Sequence, residues 1–498
     1  MLNKVVRPGL EAPGNKNDAK ANAQMRRERR FENRFMQGDS ELVDRPRSIR
    51  SATTGELGYM HQNRIRFYPE EVDRVVKYES ERYMDTYVKD KFPYIAAASE
   101  GKYLYLVPIE GKRKGEVLKV YDAFCFYGVR AATAHAMEDI KDAVDAQILR
   151  GSLCSANVFN ASRSALCQYL FHEEWGLFTE LLPNYKIYML NSGSESNDAA
   201  LKLACEYHRE VTHKLDKKNT VISMHNGFHG RTGYALNLIE GDFARQGFPR
   251  IDKEVLFVKF GDSKELGRVF EEREGRILSV HFEPIQGEPG VNIAPEGFLK
   301  KMRELCDKED AVMIADEVQT FARTGDWFAS IALGATPDII VTGKITSGGI
   351  SPATVIYAKG EIMFYAHKHG NTYTGNPLAC ELVMTTMHII ERDGLLENSK
   401  NVGNYLVEAL RERIGNGGMV KDVRGRGTMG GVELADKVKD RGFEYAKKAI
   451  EDETQGVMVT VAGGSGGVNE VLRLLLPMAI TKRDADMIAD NLARTLSS

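Results

Sequence analysis

The sequence predicts an α/β protein built on a mostly parallel sheet. Between about residues 150 and 385, short apolar segments alternate with amphipathic helical segments, as in "KIYML" before "SNDAALKLACEYHREV" and "ILSVHFE" before "EGFLKKMRELCDKED". The apolar segments lack the alternation of polar and apolar residues that marks a strand with one wet face. Strands buried on both faces occur where helices cover a parallel sheet, so the pattern predicts that architecture.

The remaining elements follow in chain order. A helical period begins at "EEVDRVVKYESERYMDTYVKD", and "KYLYLV" and "EVLKVYDAF" are predicted strands. "TVISMHN", "EVLFVKF", "AVMIADEV" and "PDIIVTG" add strands to the large sheet, and the chain after residue 385 is typical of a smaller α+β unit. The predicted domains are a basic, partly ordered extension (1–75), the N-terminal part of a small domain (76–150), a large domain (151–385) and the C-terminal part of the small domain (386–498).

Composition narrows the function classes. The 498 residues carry 67 Lys and Arg against 70 Asp and Glu, a formal net charge of -3, which argues against a nucleic-acid or membrane-surface binder. The 6 cysteines form no CxxC motif, so neither a metal site nor a disulfide framework is expected. No apolar run reaches the roughly 20 residues that span a bilayer. Glu28 and Glu32 interrupt the Arg-rich "MRRERRFENRF", whereas transit peptides avoid acids, so we expect a cytoplasmic protein.

Polar residues gather at the predicted carboxyl ends of the strands, where open parallel sheets bind ligands. After "KIYML", Gly193 and Ser194 precede a predicted helix, whose free N–H groups could hold a phosphate. An ordinary serine N-cap explains the same residues. After "TVISM", Phe228 and His229 lie in a glycine-flanked turn where a ring could stack on a planar ligand, and Arg231 could pair with a carboxylate. A packed Phe and a solvated Arg remain the alternative.

Three further strand ends carry charge. Glu283 closes "ILSVHF" and Glu288 follows in a turn rich in Gly and Pro, where two exposed loop carboxylates are the simpler interpretation. Asp316 ends a wholly apolar strand, and a buried carboxylate needs a partner. Lys344 ends the next strand; a surface lysine is the simpler interpretation, but a lysine in a partly apolar pocket becomes a nucleophile.

The order of these residues along the chain indicates that they bind one common ligand. A phosphate cradle, an aromatic turn, a strand-end Asp and a strand-end Lys would all meet at one edge of one sheet. Pyridoxal 5'-phosphate (PLP) has a phosphate, a flat ring, a ring nitrogen that needs an acid and an aldehyde that needs a lysine. The constellation therefore predicts a PLP site.

The sequence resembles the class III (ω-)aminotransferases, which are fold-type I PLP enzymes. The resemblance runs from about residue 100 to the end and rests on these stretches: "NSGSESNDAALKLA", "GFHGRTG", "EPIQGEPGV", "ADEVQTFARTG", "VTGKITSGGI", "NTYTGNPLAC" and "RGRGTMGGVEL". It implies an α/β fold-type I transferase with a large mostly parallel-sheet domain and a smaller α+β domain. It also implies a homodimer with shared active sites, or a higher oligomer.

The resemblance also implies roles for single residues at the cofactor. Lys344 matches the lysine that bonds to the cofactor aldehyde and then moves the substrate proton, and Asp316 matches the carboxylate on the ring nitrogen. Phe228 and Val318 resemble the residues on the two ring faces, and Gln319 the group near the phenolic oxygen. The remaining expected cofactor-binding residues are Gly193 and Ser194 at the phosphate, Thr372 reaching the phosphate from the partner subunit, and His229 and Glu283.

For the substrate, Arg231 and Arg473 resemble two carboxylate-binding arginines, Glu288 the acid that pairs with the second of them, and Tyr127 a substrate-facing aromatic residue. The sequence departs from the family near Tyr127, where "TAHAM" replaces a Gly-His-x-His-Pro stretch. It also departs at Phe321, which replaces Gly or a small aliphatic residue. Both departures are expected near the substrate entrance.

The implied activity transfers the terminal amine of an ω-amino acid or diamine to 2-oxoglutarate. Ornithine, lysine, 4-aminobutyrate and N-acetylornithine are the candidate donors, and "GFHGRTGYALNL" slightly favours lysine or 4-aminobutyrate. An aminomutase or racemase of the same fold, or a PLP-binding protein without catalysis, remains an alternative. The Glu288–Arg473 pair favours amino transfer over a mutase, because a mutase needs no alternation between donor and acceptor.

Overall fold

The computed structural model describes residues 69–83, 92–151, 157–241, 245–248, 250–414, 418–463 and 470–497. The predicted extension over residues 1–75 lies outside these ranges except for residues 69–75, which begin the first helix. The first described elements are α1 (Pro69–Arg82), β1 (Tyr94–Glu100), β2 (Tyr103–Pro108), β3 (Leu118–Asp122), α2 (Met137–Arg150) and α3 (Ala161–Phe171).

The central elements form the large domain. They are β4 (Tyr185–Leu190), α4 (Gly193–Glu210), β5 (Thr220–Met224), β6 (Glu254–Val258), α5 (Ser263–Glu272), β7 (Ile277–Phe282), β8 (Ile285–Gln286), β9 (Asn292–Ile293), α6 (Phe298–Glu309), β10 (Val312–Glu317), α7 (Ala329–Ala332), β11 (Ile339–Thr342), β12 (Thr354–Lys359) and α8 (Gly360–Met363). Every strand predicted in this region is present, so the apolar pattern identified them correctly.

The large sheet has the strand order β4-β12-β11-β10-β7-β5-β6. Strand β12 is antiparallel to both of its neighbours. The pairs β11–β10, β10–β7, β7–β5 and β5–β6 are parallel. The prediction of a mostly parallel sheet is therefore confirmed, with one antiparallel strand that the sequence analysis missed.

Helices cover both faces of this sheet, as its uninterrupted apolar strands require. On one face, Ala200 and Leu201 of α4 pack in a cluster with Ile314 of β10. On the other face, Met302 of α6 packs with Phe282 of β7. Most side chains of these strands are therefore apolar, and the charged side chains Asp316 and Glu283 lie where strands end. In the described residues, no helix is long and apolar enough to cross a membrane.

After the large sheet comes α9 (Pro377–Arg392), which packs in one cluster with residues of β4 and β12. The C-terminal part of the chain then contributes a smaller α+β unit. Its elements are α10 (Leu395–Ile414), β13 (Val420–Arg426), β14 (Met429–Leu434), α11 (Gly442–Glu451), β15 (Val457–Met458), β16 (Thr460–Ala462), β17 (Val471–Leu475) and α12 (Lys482–Ser497). Two four-stranded sheets lie here, in the orders β1-β2-β3-β15 and β13-β14-β17-β16. The parallel pairing of β15 with β3 joins the N-terminal strands to the C-terminal unit.

Candidate active site

A cavity of about 500 Å³ opens at the carboxyl ends of the large sheet's parallel strands. It is the place where the strand ends were expected to meet. The predicted site residues that line it are Gly193, Ser194, Phe228, His229, Glu283, Asp316, Val318, Gln319 and Lys344. The structure therefore brings together side chains that lie up to 151 positions apart in the chain, from 193 to 344.

Asp316 lies deep in this cavity at the end of β10, where it is 5 % exposed. Its Oδ2 accepts hydrogen bonds from Asn197 Nδ2 at 2.7 Å and from His229 Nδ1 at 2.9 Å. Its Oδ1 accepts one from the backbone N–H of Val318 at 3.1 Å. Three donors hold the carboxylate in one orientation, so it is fixed before any ligand arrives.

His229 and Glu283 lie near Asp316 and also line the cavity. Burial alone would lower the pKa of His229, but the hydrogen bond to Asp316 and the charges of Asp316 and Glu283 together raise that pKa. Burial raises the pKa of Glu283 to about 7, and the charge of Asp316 acts in the same direction. Glu283 also accepts hydrogen bonds from the backbone N–H groups of Phe228, at 2.9 Å, and Gly287, at 3.2 Å. These bonds anchor the aromatic turn to the end of β7.

Lys344 follows β11 and has a left-handed backbone, with φ of 47°. That conformation is strained for a residue with a Cβ and is typical of functional positions. Burial lowers the pKa of Lys344 to about 8, although the charges of Glu288 and Asp316 oppose the change and those of Arg323 and Arg473 add to it. A larger share of the amine is therefore neutral, and so nucleophilic, at physiological pH than for a solvated lysine.

Gly193 and Ser194 begin helix α4 rather than precede it, which corrects the sequence-based boundary. The N-cap is Ser192, whose Oγ accepts the N–H of Glu195 at 3.2 Å. N–H groups in the first turn of a helix have no carbonyl one turn earlier, so this end of α4 can bind an anion. Gly193 also has a steric role, because a Cβ there would lie 3.0 Å from Val318.

Glu288 and Arg473 meet across the domain boundary. Arg473 of β17 is 1 % exposed, and its Nη1 lies 2.9 Å from Glu288 Oε1 and 3.0 Å from the carbonyl oxygen of Gly287. Gln319 Nε2 donates to the same Glu288 oxygen at 2.8 Å. Burial would raise the pKa of Glu288, but Arg473, Lys344 and Gln319 outweigh it and lower that pKa. Gln319 therefore links this ion pair to the cavity that it lines.

Besides Glu288 and Arg473, three predicted residues lie outside the cavity lining. Tyr127 is half-buried and packs its ring against Phe124, with centroids 4.5 Å apart. Arg231 is exposed, and its backbone N–H donates to Ser194 Oγ at 3.3 Å. Thr372 is also exposed.

The expectation that Phe321 lies near the substrate entrance is wrong. Phe321 is 0 % exposed, and its ring packs against Trp327 and Phe328 with centroids 5.7 and 5.4 Å away. The expectation rested only on the departure of Phe321 from the Gly or small aliphatic residue that the resemblance implies at this position. The chain turns after Gln319, so the aromatic side chain points into the core.

The sequence analysis named only part of the cavity lining, and among the residues that it missed are two that act on the charged groups of the site. Asn197 holds Asp316, and a polar residue on the apolar side of helix α4 was the available signal. Arg323 is fully buried, donates from Nη2 to the carbonyl oxygen of Gly128 at 2.7 Å, and lowers the pKa of Lys344. Nothing local in "FARTG" distinguishes Arg323 from a solvated arginine.

The residues present fit PLP. A neutralisable amine (Lys344), a fixed buried carboxylate (Asp316) and a helix N-terminus (Gly193) line one cavity of suitable volume for a drug-sized ligand. Phe228 and Val318 also line this cavity and supply an aromatic and an aliphatic surface for a flat ring. Together with the mostly parallel sheet, this site defines a fold-type I PLP-dependent enzyme.

Comparison with known proteins gives the family. Residues 87–496 match the family model described as aminotransferase class-III. Ornithine aminotransferase 1 of Staphylococcus aureus is 33% identical over 331 residues, which cover 64% of this chain and 81% of that protein. Acetylornithine aminotransferase of Methanosarcina acetivorans is 36% identical over 311 residues, 61% of this chain and 71% of that protein. The chain belongs to the class III aminotransferase family and is a PLP-dependent aminotransferase.

Two solved structures of aminotransferases match the fold of this chain. The acetylornithine aminotransferase of Elizabethkingia anophelis matches with a TM-score of 0.72 and 27% identity, over 86% of this chain and 99% of that one. The ornithine aminotransferase of Toxoplasma gondii matches with a TM-score of 0.74 and 23% identity, over 86% of this chain and 95% of that one. The second match shows the fold alone.

Proposed function

We propose that this aminotransferase moves the terminal amine of an ω-amino acid or diamine of the ornithine type to 2-oxoglutarate. The observation that carries the proposal is the Glu288–Arg473 pair at 2.9 Å beside the cavity. The names of the relatives, ornithine and acetylornithine aminotransferases, support the same donor class. The sequence preference for lysine or 4-aminobutyrate receives no support from those names.

In this proposal the described residues hold the cofactor in three places. The N–H groups at Gly193 and Ser194 would bind the phosphate, and Asp316 would pair with the ring nitrogen. Phe228 and Val318 would contact the two ring faces. When bound, PLP supplies an aldehyde that takes up the substrate amine and a ring that accepts the electrons released at the substrate carbon.

Lys344 carries the proton in this proposal. Its amine would accept the proton from the substrate carbon and would donate it to the C4′ carbon of the cofactor, so it would serve first as base and then as acid. A pKa of about 8 suits both roles, because neither form is strongly disfavoured near neutral pH. Three neighbours hold other groups of the site in place. Gln319 contacts Glu288, His229 contacts Asp316, and Glu283 accepts the backbone N–H of Phe228.

The ion pair allows one site to accept two different substrates. An ω-amine donor has no carboxylate beside the reacting amine, and Glu288 then neutralises Arg473. The acceptor 2-oxoglutarate has a carboxylate beside its reacting carbon, and Arg473 can bind it once Glu288 moves aside. Arg231, exposed at the cavity rim, would hold the donor's distant carboxylate, and Tyr127 would flank its chain.

Substitution Glu288→Gln tests this switch. The amide keeps the size but leaves Arg473 as an uncompensated cation toward the donor. We expect the donor half-reaction to slow by about 10- to 100-fold relative to the acceptor half-reaction, since a charge-assisted contact contributes about 1.5–3 kcal/mol. Single-turnover kinetics of each half-reaction, followed through the cofactor absorbance, measure the ratio.

The matched control for this variant is Glu304→Gln, which removes an exposed carboxylate that lies 3.8 Å from Lys301 on helix α6. It should leave both half-reactions unchanged. If Glu288→Gln also changes neither half-reaction, the switch does not exist.

A panel of candidate amines tests which donor the enzyme uses. Ornithine, N-acetylornithine, lysine and 4-aminobutyrate are added one at a time to the holoenzyme while the visible cofactor band is recorded. Loss of the band with one amine and its return with 2-oxoglutarate would support the proposal and name the donor. Loss without return would favour the aminomutase or racemase alternative, and no response to any amine would contradict an amine-transferring activity of this class.

We also propose a cytoplasmic homodimer in which Thr372 completes the partner's phosphate site. Thr372 is exposed, and the neighbouring Tyr373 is 55 % and Phe159 104 % exposed, an apolar surface that a second copy would cover. Mixed dimers of Lys344→Ala and Thr372→Val would contain one intact site. We expect activity to appear on mixing two variants that are each impaired as homodimers; no recovery after subunit exchange would contradict shared sites.

A further inference from the structure

One wall of the cavity comes from a turn whose backbone is left-handed at four consecutive residues. Cys125, Phe126, Tyr127 and Gly128 have φ of 47°, 50°, 56° and 75°. A left-handed backbone brings the Cβ close to the following carbonyl oxygen, so a run of three residues other than glycine is costly. Such strain persists only where surrounding contacts impose it. We call residues 125–128 the left-handed turn.

Asp122 holds the start of the left-handed turn. This carboxylate is buried, and its Oδ1 accepts the backbone N–H of Cys125 at 2.7 Å and that of Phe124 at 3.2 Å. Its Oδ2 lies 3.2 Å from Arg130 Nη1. The backbone N–H of Arg130 in turn donates to the carbonyl oxygen of Cys125 at 3.1 Å. One carboxylate therefore ties together the segments before and after the turn.

Arg323 holds the end of the left-handed turn. Its guanidinium is fully buried and donates from Nη2 to the carbonyl oxygen of Gly128 at 2.7 Å. A Cβ at position 128 would clash with this guanidinium, so the close approach requires glycine. The backbone N–H of Gly128 donates to the carbonyl oxygen of Phe124 at 2.8 Å. Buried groups therefore fix the turn at both ends.

The left-handed turn sends neighbouring side chains to different environments. Cys125 is buried in the core, whereas Phe126 lines the cavity and is 66 % exposed. Tyr127 is not among the lining residues. Its ring lies between those of Phe126 and Phe124, with centroids 6.1 and 4.5 Å away. Phe126 is therefore the aromatic residue of this turn that a molecule in the cavity can touch.

Phe126 also lies where the chain of an amino donor has to pass. Lys344 and the buried Asp316 mark the reacting end of the cavity, and the exposed Phe126 and Ile350 mark its open side. A donor amine that reaches Lys344 leaves its methylene chain between these two ends. An aromatic ring at the open side supplies the apolar surface that such a chain prefers.

We propose that Phe126 is a specificity-determining residue that contacts the methylene chain of the amino donor, and that Asp122 is a positioning residue that holds Phe126 in place through the left-handed turn. Tyr127 then supports the ring of Phe126 from behind. The donor contact rests on the proposed function, because it requires a donor with a methylene chain. The hydrogen bonds from the turn to Asp122 require neither donor nor cofactor.

The thiol of Cys125 reports whether Asp122 holds the turn. Burial raises the pKa of Cys125 well above its usual range, so iodoacetamide should alkylate it slowly in the cofactor-free full-length chain. Asp122→Ala and Asp122→Asn both remove a negative charge that also raises this pKa, but only asparagine keeps an oxygen that can accept the two N–H groups. We expect alkylation about 10-fold faster in Asp122→Ala than in Asp122→Asn, the effect of one ordinary hydrogen bond. Mass spectrometry measures the rate at each cysteine.

Cys306 is the internal control, because it is buried in a different core cluster. It should react equally slowly in both variants. Equal rates at Cys125 in the two variants would contradict the proposal. An acceleration at Cys125 that Cys306 shares would also contradict it, since Asp122 would then stabilise the whole chain rather than the turn.

Selectivity between two amines tests the donor contact, because a ratio does not depend on the amount of folded enzyme. Holoenzyme receives the best donor of the panel and its homologue one methylene longer, and kcat/KM is measured for each. We expect Phe126→Ala to lower kcat/KM for the best donor by about 10-fold, mainly through KM, and to change the ratio by about 4-fold, the effect of one buried methylene. Phe126→Leu should restore most of both. Asp122→Ala should change the ratio as Phe126→Ala does, and Asp122→Asn should not.

Phe364→Ala is the matched control, because Phe364 is 65 % exposed but is not among the residues that line the cavity. It should leave the ratio unchanged. If Phe126→Ala also leaves the ratio unchanged while amines still discharge the cofactor band, the donor contact fails and the proposed function stands. If no amine discharges the band, the proposed donor class fails and the donor contact with it, whereas the alkylation of Cys125 still decides the role of Asp122.

Discussion

Replacing Lys344 with alanine is expected to abolish amino transfer. In the proposed function this residue would supply both the amine that bonds to the cofactor and the group that moves the substrate proton. Loss of a positioned general base alone costs about 10²–10⁴-fold in rate, and the loss of the covalent attachment adds to this. The steady-state rate with the best donor, and the visible spectrum after incubation with PLP, measure the two roles separately.

Lys344→Arg is the control, because it keeps a positive charge beside Glu288 and Asp316 but has no neutralisable amine at accessible pH. We expect it to be as inactive as the alanine variant, which would exclude a purely electrostatic role. Substantial activity in either variant would contradict the assignment.

The lowered pKa of Lys344 makes the reactivity of its amine depend on pH between about 7 and 9. A pKa of about 8 leaves about a tenth of the amine neutral at pH 7 and about nine tenths at pH 9. The rate of PLP attachment to the cofactor-free protein should therefore rise through this range.

The positions of the strand-end residues could be predicted because one physical rule covers them. Parallel strands all end at the same edge of the sheet, so Asp316 at the end of β10 and Lys344 after β11 had to lie near one another. The apolar runs fixed the strands, and the first polar residue after each run marked the edge. The same reasoning correctly placed Phe228 and Glu283 in the cavity lining.

Other features depend on contacts that a local pattern cannot express. Strand β12 has the same apolar character as its parallel neighbours, so nothing in "TVIYAK" reveals its reversed direction. The approach of Arg473 to Glu288 joins β17 of the small unit to a loop of the large one, and only the family resemblance implied it. The expectation for Phe321 failed for a related reason. Its position beside site residues in the sequence does not show which way its side chain points.

The buried polar residues are the hardest group to interpret from sequence. Asn197, His281 and Arg323 are each buried, in positions where a local sequence pattern predicts an apolar residue. The role of each of these residues depends on the one or two groups that it contacts in the folded protein. His281 in particular interrupts the apolar strand "ILSVHF", and only its proximity to His229 gives it a chemical context.

Replacing Asp316 with asparagine is expected to have the second largest effect. The amide keeps the shape and can still accept from Asn197, but it removes the negative charge that would hold a proton on the ring nitrogen. Removing one preorganised electrostatic partner typically costs about 10²–10³-fold in rate. The pKa of His229 should fall as well, because the hydrogen bond to Asp316 and its charge raise that pKa against the effect of burial.

Asn197→Ala separates charge from hydrogen bonding in this prediction. It deletes a neutral donor that lies 2.7 Å from the same oxygen of Asp316, so it should cost no more than about 10-fold, the effect of one ordinary hydrogen bond. Turnover of both variants with the same donor, together with their PLP dissociation constants, provides the comparison. If Asp316→Asn were no slower than Asn197→Ala, the carboxylate would act only as a hydrogen-bond acceptor. The electron-accepting role of the ring would then have to be supported by another group of the cavity.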